Sequence, residues 1–328
     1  MDYTRQFGSY QLVEIGKGEK TVAAYADDVR RFREWLDLHA VERGLAPGWE
    51  EVNARHIRGY TAWLSSERIQ TRKDGTRVTM KPVGGKYLRR VTASLRVWFD
   101  YLRDVEKVRP DNPAREIKAP KLPKRHPGAL TTDEVSQLIK AAVEHSRTSE
   151  RLRNWTLVAF LFHTGLRVSE LCELRITDIQ HRDRLPHALR VIGKGNKERR
   201  VILSAEAKRA LHQWLQERAH IEASAPLEVD ASFVWLVPAG KKRGEGISPA
   251  GVRALLRRLG PLANLTKRVY PHLLRHSFAT EAVKHGAKIH GLKEVLGHSS
   301  IATTGVYLHA DEGELEQVAA VMPSVLGR

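Results

Sequence analysis

The sequence contains little of what would mark a secreted, membrane-spanning or metal-dependent protein. Cys172 is the single cysteine among 328 residues, which excludes an internal disulfide and fits a reducing cytoplasm. No apolar run approaches the roughly 20 residues that cross a bilayer, and the N-terminal residues lack the architecture of a signal peptide. Neither internal repeats nor a carboxylate cluster suited to Mg²⁺ occur. We therefore expect a cytoplasmic globular protein that does not bind membranes.

The strongest bulk property of the chain is its positive charge. Lysine and arginine number 55 against 38 acidic residues, which gives a net charge of +17 and an isoelectric point near 10.1. Such a chain binds polyanions through the release of their counterions, and nucleic acid is the expected partner. An acidic membrane surface is the weaker alternative, because the sequence has neither a lysine-rich amphipathic tail nor a lipidation motif.

Apolar residues at helical spacing predict a small helical domain in residues 1–108. Its helices are expected within 19–43, 51–66 and 86–104. Between their apolar stripes lie six basic residues: Arg30, Arg31, Arg33, Arg89, Arg90 and Arg96. A solvated polar face explains any one of them, whereas their number in so basic a chain favours contacts with DNA phosphates.

Residues 67–82 interrupt this helical pattern with a predicted β-hairpin. Asp74-Gly75 lies at the centre and β-branched residues follow, which is typical of a two-residue turn between antiparallel strands. Five basic residues make the segment a basic finger: Arg68, Arg72, Lys73, Arg77 and Lys81. The pattern is equally compatible with contact to DNA or a neighbouring subunit and with a passive surface insertion.

A proline-rich stretch separates the helical region from the rest of the chain. Residues 109–127 hold five of the fourteen prolines together with several basic residues. Repeated proline prevents a helix and favours extended chain. We therefore predict a basic linker over 109–127, followed by a second domain over 128–328.

The second domain is predicted to be mainly helical with a small β-sheet. A capping box at Thr131–Glu134 begins its first helix, and the almost wholly apolar run 152–163 is expected to be a buried helix. Strands are predicted at 189–192, 200–203 and 233–237, and further helices at 204–220 and 248–259. The polar segment 181–187 contains Pro186 and is expected to be a long loop.

Chemically reactive side chains concentrate in residues 271–309. Helical spacing places His272 and Arg275 side by side on one face, His298 follows a tight turn, and Tyr307 comes shortly afterwards. This set suits chemistry on a phosphodiester. Arginine grips two phosphate oxygens, histidine moves a proton, and tyrosine can attack as a covalent nucleophile.

Two further basic residues lie upstream, Arg167 in a polar break between apolar helical runs and Lys194 in a glycine-bounded turn. In this order the pieces resemble the tyrosine recombinase (phage integrase) family, and most closely its Xer-like and transposon-borne members. The family pattern is Arg, Lys, His-x-x-Arg, His and Tyr, and this chain matches it with Arg167, Lys194, His272, Arg275, His298 and Tyr307. The resemblance is strong over residues 128–312 and only general over the N-terminal region.

The resemblance implies a two-domain DNA clamp, formed by a helical core-binding domain and a catalytic domain. It also implies an enzyme that needs neither metal nor cofactor, because the guanidinium groups of Arg167 and Arg275 stabilise the charge that builds on the phosphate. For Glu170 two interpretations stay open. It either orients Arg167 or is an ordinary acid on a helix surface.

The remaining residues of the pattern are expected to move protons and form the covalent bond. Tyr307 would attack the phosphorus and form a 3′-phosphotyrosyl link, which a 5′-hydroxyl later reverses without ATP. Because a phenol has a pKa near 10, it needs a base, for which His272 is the candidate. His298 would donate a further hydrogen bond, and Lys194 would protonate the leaving 5′-oxygen, with Lys197 as the alternative acid.

The resemblance further implies a tetramer on two paired inverted-repeat DNA sites, with two tyrosines active at a time. Such an enzyme integrates, excises or resolves mobile DNA, and an accessory protein is a compatible further partner. The tail 312–328 carries spaced apolar residues. These favour a helix that docks on the next subunit over a helix that folds back on its own domain.

Two other functions share part of this pattern. A type IB topoisomerase uses phosphotyrosine chemistry but relaxes supercoils as a monomer, and a non-catalytic DNA-binding regulator would not need the whole set. Each reactive residue also has a structural explanation: a helix cap for His272 and His298, an ion-pair former for Arg167, a core aromatic for Tyr307. The complete ordered set favours the recombinase.

Overall fold

The computed structural model describes residues 3–40, 45–71, 76–120, 128–193, 197–297 and 312–326. The chain divides into two compact units, Met1–Arg125 and His126–Arg328, each with its own apolar core. Both units are mainly helical and the larger one carries a small sheet, which confirms the predicted fold class. None of the described helices is both long and apolar enough to span a membrane.

In its described residues, the N-terminal unit contains four α-helices: α1 (Thr4–Val13), α2 (Glu19–His39), α3 (Ala54–Ser65) and α4 (Gly85–Asp104). The predicted apolar stripes form its core, and Phe32, Leu95 and Trp98 are fully buried. The ring of Trp98 meets that of Trp49 edge to face, with centroids 5.0 Å apart. Such a pair adds about 0.5–1.5 kcal/mol to the effect of burial alone.

Two of the basic residues on these helices support the fold. Arg90 forms an ion pair at 2.9 Å with the fully buried carboxylate of Asp28. Arg96 donates to the carbonyl oxygens of Ala114 and Ile117, in the segment that follows α4. Breaking such bonds leaves buried polar groups without partners. The predicted phosphate contacts are therefore poorly suited to Arg90 and Arg96.

The other four basic residues remain candidates for phosphate contact. Arg30, Arg31 and Arg33 form ion pairs with acidic residues of α2 itself, and those acidic side chains are more than a third exposed. Exposed pairs contribute only about 0–1 kcal/mol, so a phosphate can displace the carboxylates. Arg89 is exposed and has no ion-pair partner within the described residues.

A β-hairpin lies between α3 and α4, where the sequence predicted one. Strands β1 (Arg68–Thr71) and β2 (Arg77–Met80) pair antiparallel, and Thr71 lies opposite Arg77. This register is one residue out of step with a two-residue turn at Asp74-Gly75, which would place residue 72 opposite Arg77. Residues 72–75 themselves lie outside the described part of the chain.

The base of the hairpin is attached to α3. The guanidinium of Arg68 lies over the Trp63 ring at 4.8 Å and donates to the carbonyl oxygen of Leu64 at 3.2 Å. Arg77 and Lys81 are exposed and form no ion pair within the described residues. The hairpin therefore has a fixed base and a basic surface that is open to an anionic partner.

The first half of the proline-rich segment belongs to the N-terminal core. It forms a short 3₁₀ turn, Pro113–Glu116, and packs beside α4. The enclosed guanidinium of Arg109 donates at 2.8 Å to two carbonyl oxygens of the chain between α2 and α3. Because a buried guanidinium keeps its position only while its donors are satisfied, these bonds hold the segment in place. The segment predicted as a linker over 109–127 is thus part of the N-terminal core as far as Ile117.

In its described residues, the C-terminal unit contains eight α-helices: α5 (Thr132–Glu144), α6 (Thr148–Thr164), α7 (Val168–Glu173), α8 (Ala205–Ala223), α9 (Pro249–Leu262), α10 (Pro271–Lys284), α11 (Ile289–Leu296) and α12 (Glu312–Ala320). The capping box at the start of α5 is confirmed. The Thr131 hydroxyl accepts from the Glu134 amide, and the Glu134 carboxylate accepts from the Thr131 amide. The predicted buried helix is α6, which is buried continuously from Leu157 to Thr164.

The sheet of this unit has three antiparallel strands in the order β3 (Ile179–Arg182), β4 (Leu185–Ile192), β5 (Glu198–Ile202). The prediction of a long loop at 181–187 is wrong, because the segment is a tight hairpin. Asp183 and Arg184 both have positive φ, 52° and 64°, as a type I′ turn requires. Pro186 is tolerated because β4 pairs with β5 only from Ala188 onward.

The predicted strand at 233–237 is also wrong, although its residues are buried. The segment makes only isolated bridges, between Arg175 and Phe233 and between Leu236 and Gly246. Its burial comes from helix α8, where the Trp214 indole donates to the Val234 carbonyl oxygen at 2.7 Å. The segment is extended core chain without a regular strand partner.

The described part of the tail folds back on its own unit. Helix α12 and the residues after it place Leu315, Val318 and Val325 in the C-terminal core. These apolar side chains favoured docking on a neighbouring subunit, but in this structure they find apolar partners within the same chain. Folding back on the same domain is the alternative that the sequence analysis favoured less.

One carboxylate holds the end of the tail. Glu206, at the start of α8, accepts hydrogen bonds from the amides of Val325 and Leu326 at 3.0 and 3.2 Å. It also accepts from the Ser324 hydroxyl, and its Oε2 lies 3.0 Å from His163 Nε2. Burial alone would raise the pKa of Glu206, but the His163, Ser324 and Val325 bonds hold it at about 2.

We predict that Glu206→Gln lowers the free energy of unfolding by about 2 kcal/mol at pH 7, because charge-assisted bonds to the tail are lost. A depressed carboxylate pKa stabilises the fold above the unfolded value near 4.5 and loses this effect toward about 2. The stability difference between variant and wild type should therefore shrink as the pH falls below about 4.5. Urea unfolding at a series of pH values measures it.

Glu228→Gln is the matched control, since Glu228 is an exposed carboxylate of the same unit. It should unfold like the wild type throughout the pH series. Equal stabilities of Glu206→Gln and the wild type at pH 7 would show that Glu206 does not anchor the tail.

Candidate active site

Arg167 is placed by a sharp break between α6 and α7. Gly165 ends α6 in the left-handed conformation, with φ of 60°, and a Cβ at this position would collide with the Phe278 ring. Leu166 is then buried, and Arg167 becomes the N-cap residue of α7. The glycine is needed both for the turn and for the close approach of α10.

Glu170 lies next to Arg167, and both of its carboxylate oxygens accept hydrogen bonds. Its two oxygens accept from the Arg167 amide and guanidinium, both at 2.8 Å, and from the two terminal nitrogens of Arg199 at 2.9 and 2.8 Å. The Glu170 side chain is only 4% exposed. It therefore orients Arg167 and is not a surface acid, which decides between the two interpretations open from the sequence.

Arg275 lies on α10, whose first residue is Pro271. The Arg275 guanidinium is buried and donates to the carbonyl oxygens of Gly165, at 2.7 Å, and Leu296. His272 precedes it by three residues on the same helix and is exposed. The predicted common helix for His272 and Arg275 is present, with the imidazole accessible and the guanidinium enclosed.

The carboxyl end of α11 gathers three arginines. The carbonyl oxygens of Val295, Leu296 and Gly297 each accept from a different guanidinium, and the donors are Arg199, Arg275 and Arg167, respectively. The last carbonyl groups of a helix lack intrahelical partners and carry partial negative charge. The helix end thus brings Arg167 and Arg275 together.

The cluster carries an excess of positive charge. Three guanidinium groups surround one carboxylate. Burial acts to raise the pKa of Glu170, but its bonds to Arg199 and Arg167 outweigh burial and lower that pKa below its usual value, so that Glu170 stays ionised. Burial, reinforced by repulsion from Arg167, lowers the pKa of Arg275 to about 10. Arg275 is still protonated at neutral pH, and the repulsion would be relieved by a bound anion.

Three residues of the sequence pattern, Lys194, His298 and Tyr307, lie outside the described residues. The residues that flank positions 194–196 on either side are nevertheless described. Gly193 donates its amide to the Lys197 carbonyl oxygen at 2.8 Å. Lys197, the alternative acid, is exposed.

Arg199 is the residue of the cluster that sequence analysis missed. It belongs to a run of charged residues, 197–200, in which the buried member cannot be recognised from residue type. Only the strand alternation distinguishes Arg199 from its neighbour Arg200, which is partly exposed and bonds to Gln180.

Other groups with catalytic potential do not contribute to the site. Cys172 is buried, and burial raises the pKa of its thiol to about 12, as expected for an inert packed cysteine. Within the described ranges, no group of His, Cys, Asp and Glu side chains is arranged to hold a metal ion.

Comparisons with known proteins agree with this geometry. Residues 129–314 match the Phage integrase family. The chain is 34% identical over 285 residues to the tyrosine recombinase XerC of Alcanivorax borkumensis, covering 85% of this chain and 89% of the relative. It is 30% identical over 315 residues to XerC of Actinobacillus pleuropneumoniae, covering 96% of this chain and 91% of the relative.

A solved structure shows the same fold. It is the XerH site-specific recombinase bound to its difH substrate in a pre-cleavage complex, with a TM-score of 0.63 and 20% identity over 90% of this chain and 79% of that chain. The arginine cluster and these similarities lead to one conclusion. The chain belongs to the phage integrase family and is a tyrosine-type site-specific DNA recombinase.

Proposed function

We propose that the enzyme cuts and rejoins DNA strands through a 3′-phosphotyrosine intermediate at Tyr307. The observation that carries this proposal is the convergence of Arg167 and Arg275 on the end of α11, with one carboxylate among three guanidinium groups. The surplus charge fits a phosphodiester, whose negative charge increases as the nucleophile approaches phosphorus.

The first step exchanges one phosphoester bond for another. The Tyr307 oxygen bonds to phosphorus while the bond to the 5′-oxygen breaks, and the phenolic proton passes to His272. Lys194 gives a proton to the departing 5′-oxygen. Attack by a 5′-hydroxyl of another strand reverses the step, so no external energy source is consumed.

The described arginines differ in what they offer to the phosphate. Arg167 is about 30% exposed at its side chain and can turn part of its guanidinium toward DNA. Arg275 is more deeply enclosed and is held by two carbonyl oxygens. Fixed donors in a desolvated position stabilise developing charge without reorganisation during the reaction, and this is the role of the pair together with His298.

We also propose a tetramer that acts on two paired inverted-repeat sites and serves mobile DNA. The tail takes part by exchange between subunits. Since Glu206 and the C-terminal core hold the tail in the single chain, exchange requires the same bonds to form in a neighbour. Assembly on DNA brings the subunits close enough for this, because it raises the effective concentration of each tail near its neighbour.

Tyr307→Phe should abolish the covalent protein–DNA adduct, because phenylalanine lacks the attacking oxygen. The measurement uses a nicked suicide substrate, on which the cleaved strand cannot be rejoined, followed by denaturing electrophoresis. Tyr270→Phe is the matched control, since Tyr270 and Tyr307 are the two tyrosines of the residues 128–328, and it should keep the adduct. An adduct that survives in Tyr307→Phe would assign the nucleophile to another residue.

Arg167→Ala should slow single-turnover cleavage by about 100- to 1,000-fold, as expected when a charge-stabilising donor is removed. DNA affinity at fixed salt should change little, because it is shared among many phosphate contacts. Gel-shift titration measures this affinity. Arg175→Ala removes an exposed arginine of the same unit and should affect neither quantity. An equal loss of binding and cleavage in Arg167→Ala would contradict its role as a phosphate clamp.

A further inference from the structure

Arg199 is a buried residue of a strand, and the residues on either side of it in the sequence are also charged. It lies on β5 opposite Val191 of β4, and its side chain is 6% exposed. The family pattern matched by this chain does not include it. A buried arginine requires a reason, because an enclosed guanidinium that lacks partners is strongly unfavourable.

The partners of Arg199 account for all three of its side-chain nitrogens. Nη1 and Nη2 donate to the two oxygens of Glu170, and Nε donates at 2.8 Å to the Val295 carbonyl oxygen. A planar guanidinium can hold a carboxylate in this two-bond geometry while its third nitrogen points elsewhere, and a lysine cannot. Arg199 therefore connects β5, α7 and the end of α11.

Two glycines leave room for the Arg199 side chain. A Cβ on Gly297, which has φ of 61°, would lie 3.2 Å from Arg199 Cδ and Nη1. A Cβ on Gly193 would lie 3.4 Å from Nη1. A side chain at position 297 would crowd the guanidinium, and one at position 193 would just reach contact with it. Arg199 is thus closely packed beside both Gly193 and Gly297.

The charge balance of the cluster depends on this residue. With Arg199 in place, Glu170 has a bidentate guanidinium partner that neutralises its charge. The positive charge of Arg167 is then largely available to an external anion. Without Arg199, Arg167 would be the one remaining guanidinium bonded to Glu170 within the described residues. The buried carboxylate would then attract Arg167 strongly and oppose its interaction with phosphate.

We propose that Arg199 is a positioning residue of the phosphate clamp, which neutralises Glu170 and thereby leaves the charge of the oriented Arg167 guanidinium available to the scissile phosphate. The proposal rests on the phosphodiester cleavage proposed above. Arg199 acts through Glu170 and the end of α11 and does not itself touch DNA.

The test compares Arg199→Met with the matched control Arg218→Met on two suicide substrates. Arg218 is equally enclosed, with a 5% exposed side chain, and is bonded to Glu222 and two carbonyl oxygens, but it contacts no member of the cluster. One substrate has the normal scissile phosphate. The other has a methylphosphonate there, which replaces a charged non-bridging oxygen with methyl and leaves the clamp less charge to stabilise.

On the normal substrate, Arg199→Met should cleave about 10- to 100-fold more slowly than the wild type, because the clamp is misplaced. On the methylphosphonate its deficit relative to the wild type should shrink at least about fivefold, since less negative charge develops. Arg218→Met should lower the melting temperature. On both substrates it should cleave at nearly the rate of the wild type.

Several outcomes would overturn the proposal. A deficit of the same size on both substrates would mean that Arg199 acts on the fold or the leaving group and not on the clamp. Wild-type cleavage by Arg199→Met would remove any role. If circular dichroism shows Arg199→Met unfolded, Arg199→Lys replaces it, with a smaller deficit that must show the same dependence on substrate. A wild-type enzyme that forms no adduct would instead refute the proposed function itself.

Discussion

The structure of the catalytic unit depends on one buried carboxylate that accepts four hydrogen bonds. Glu170 receives two bonds from Arg167 and two from Arg199, so neither oxygen retains an unmet requirement. Taking this ion out of water is unfavourable by several kcal/mol, and complete hydrogen bonding is what makes it tolerable. The same bonds set the direction of the Arg167 guanidinium. Burial, orientation and local charge are therefore consequences of a single arrangement.

The end of α11 turns this local arrangement into a site. Three consecutive carbonyl groups, which the helix itself cannot satisfy, accept from side chains on α10, on β5 and at the start of α7. Distant parts of the sequence thus meet at the point where the chain continues to His298. The unit has a large apolar core, but the site is defined by polar bonds at a helix terminus. This explains why residues separated by more than one hundred positions can act together.

Much of this arrangement could be predicted from the sequence, because the relevant signals are local. Apolar periodicity predicted most of the helices, although not α1 and α11, and the capping box at Thr131 marked the start of α5. The pairing of Arg167 with Arg275 came from a recognised pattern of residues. The β3–β4 hairpin was missed because Asp183-Arg184 lacks the glycine that usually accompanies positive φ. Arg199 was missed because burial on a strand depends on register, which adjacent charged residues do not reveal.

The remaining errors involve long-range contacts. The apolar residues of the tail were recognised, but their partners could lie in the same chain or in a neighbour, and apolar spacing does not distinguish the two. Arg109 resembled a linker residue, since its partners lie about 60 positions away, in the chain between α2 and α3. Proline content predicted extended chain, and the described part of the segment, 109–120, has no α-helix but only the short 3₁₀ turn. Proline content did not show that the segment packs against a core.

Because the first part of the proline-rich segment packs on the N-terminal core, the chain that connects the two units is shorter than the whole segment. With residues up to Ile117 fixed on the N-terminal core, ten positions, 118–127, remain before the C-terminal unit begins its described chain at Gly128. At about 3.5 Å per residue, a fully extended tether of this length spans at most about 35 Å. Had the whole segment from 109 been free, the limit would have been nearly twice as large. The Arg109 bonds thus shorten the length of chain that connects the two cores by nearly half.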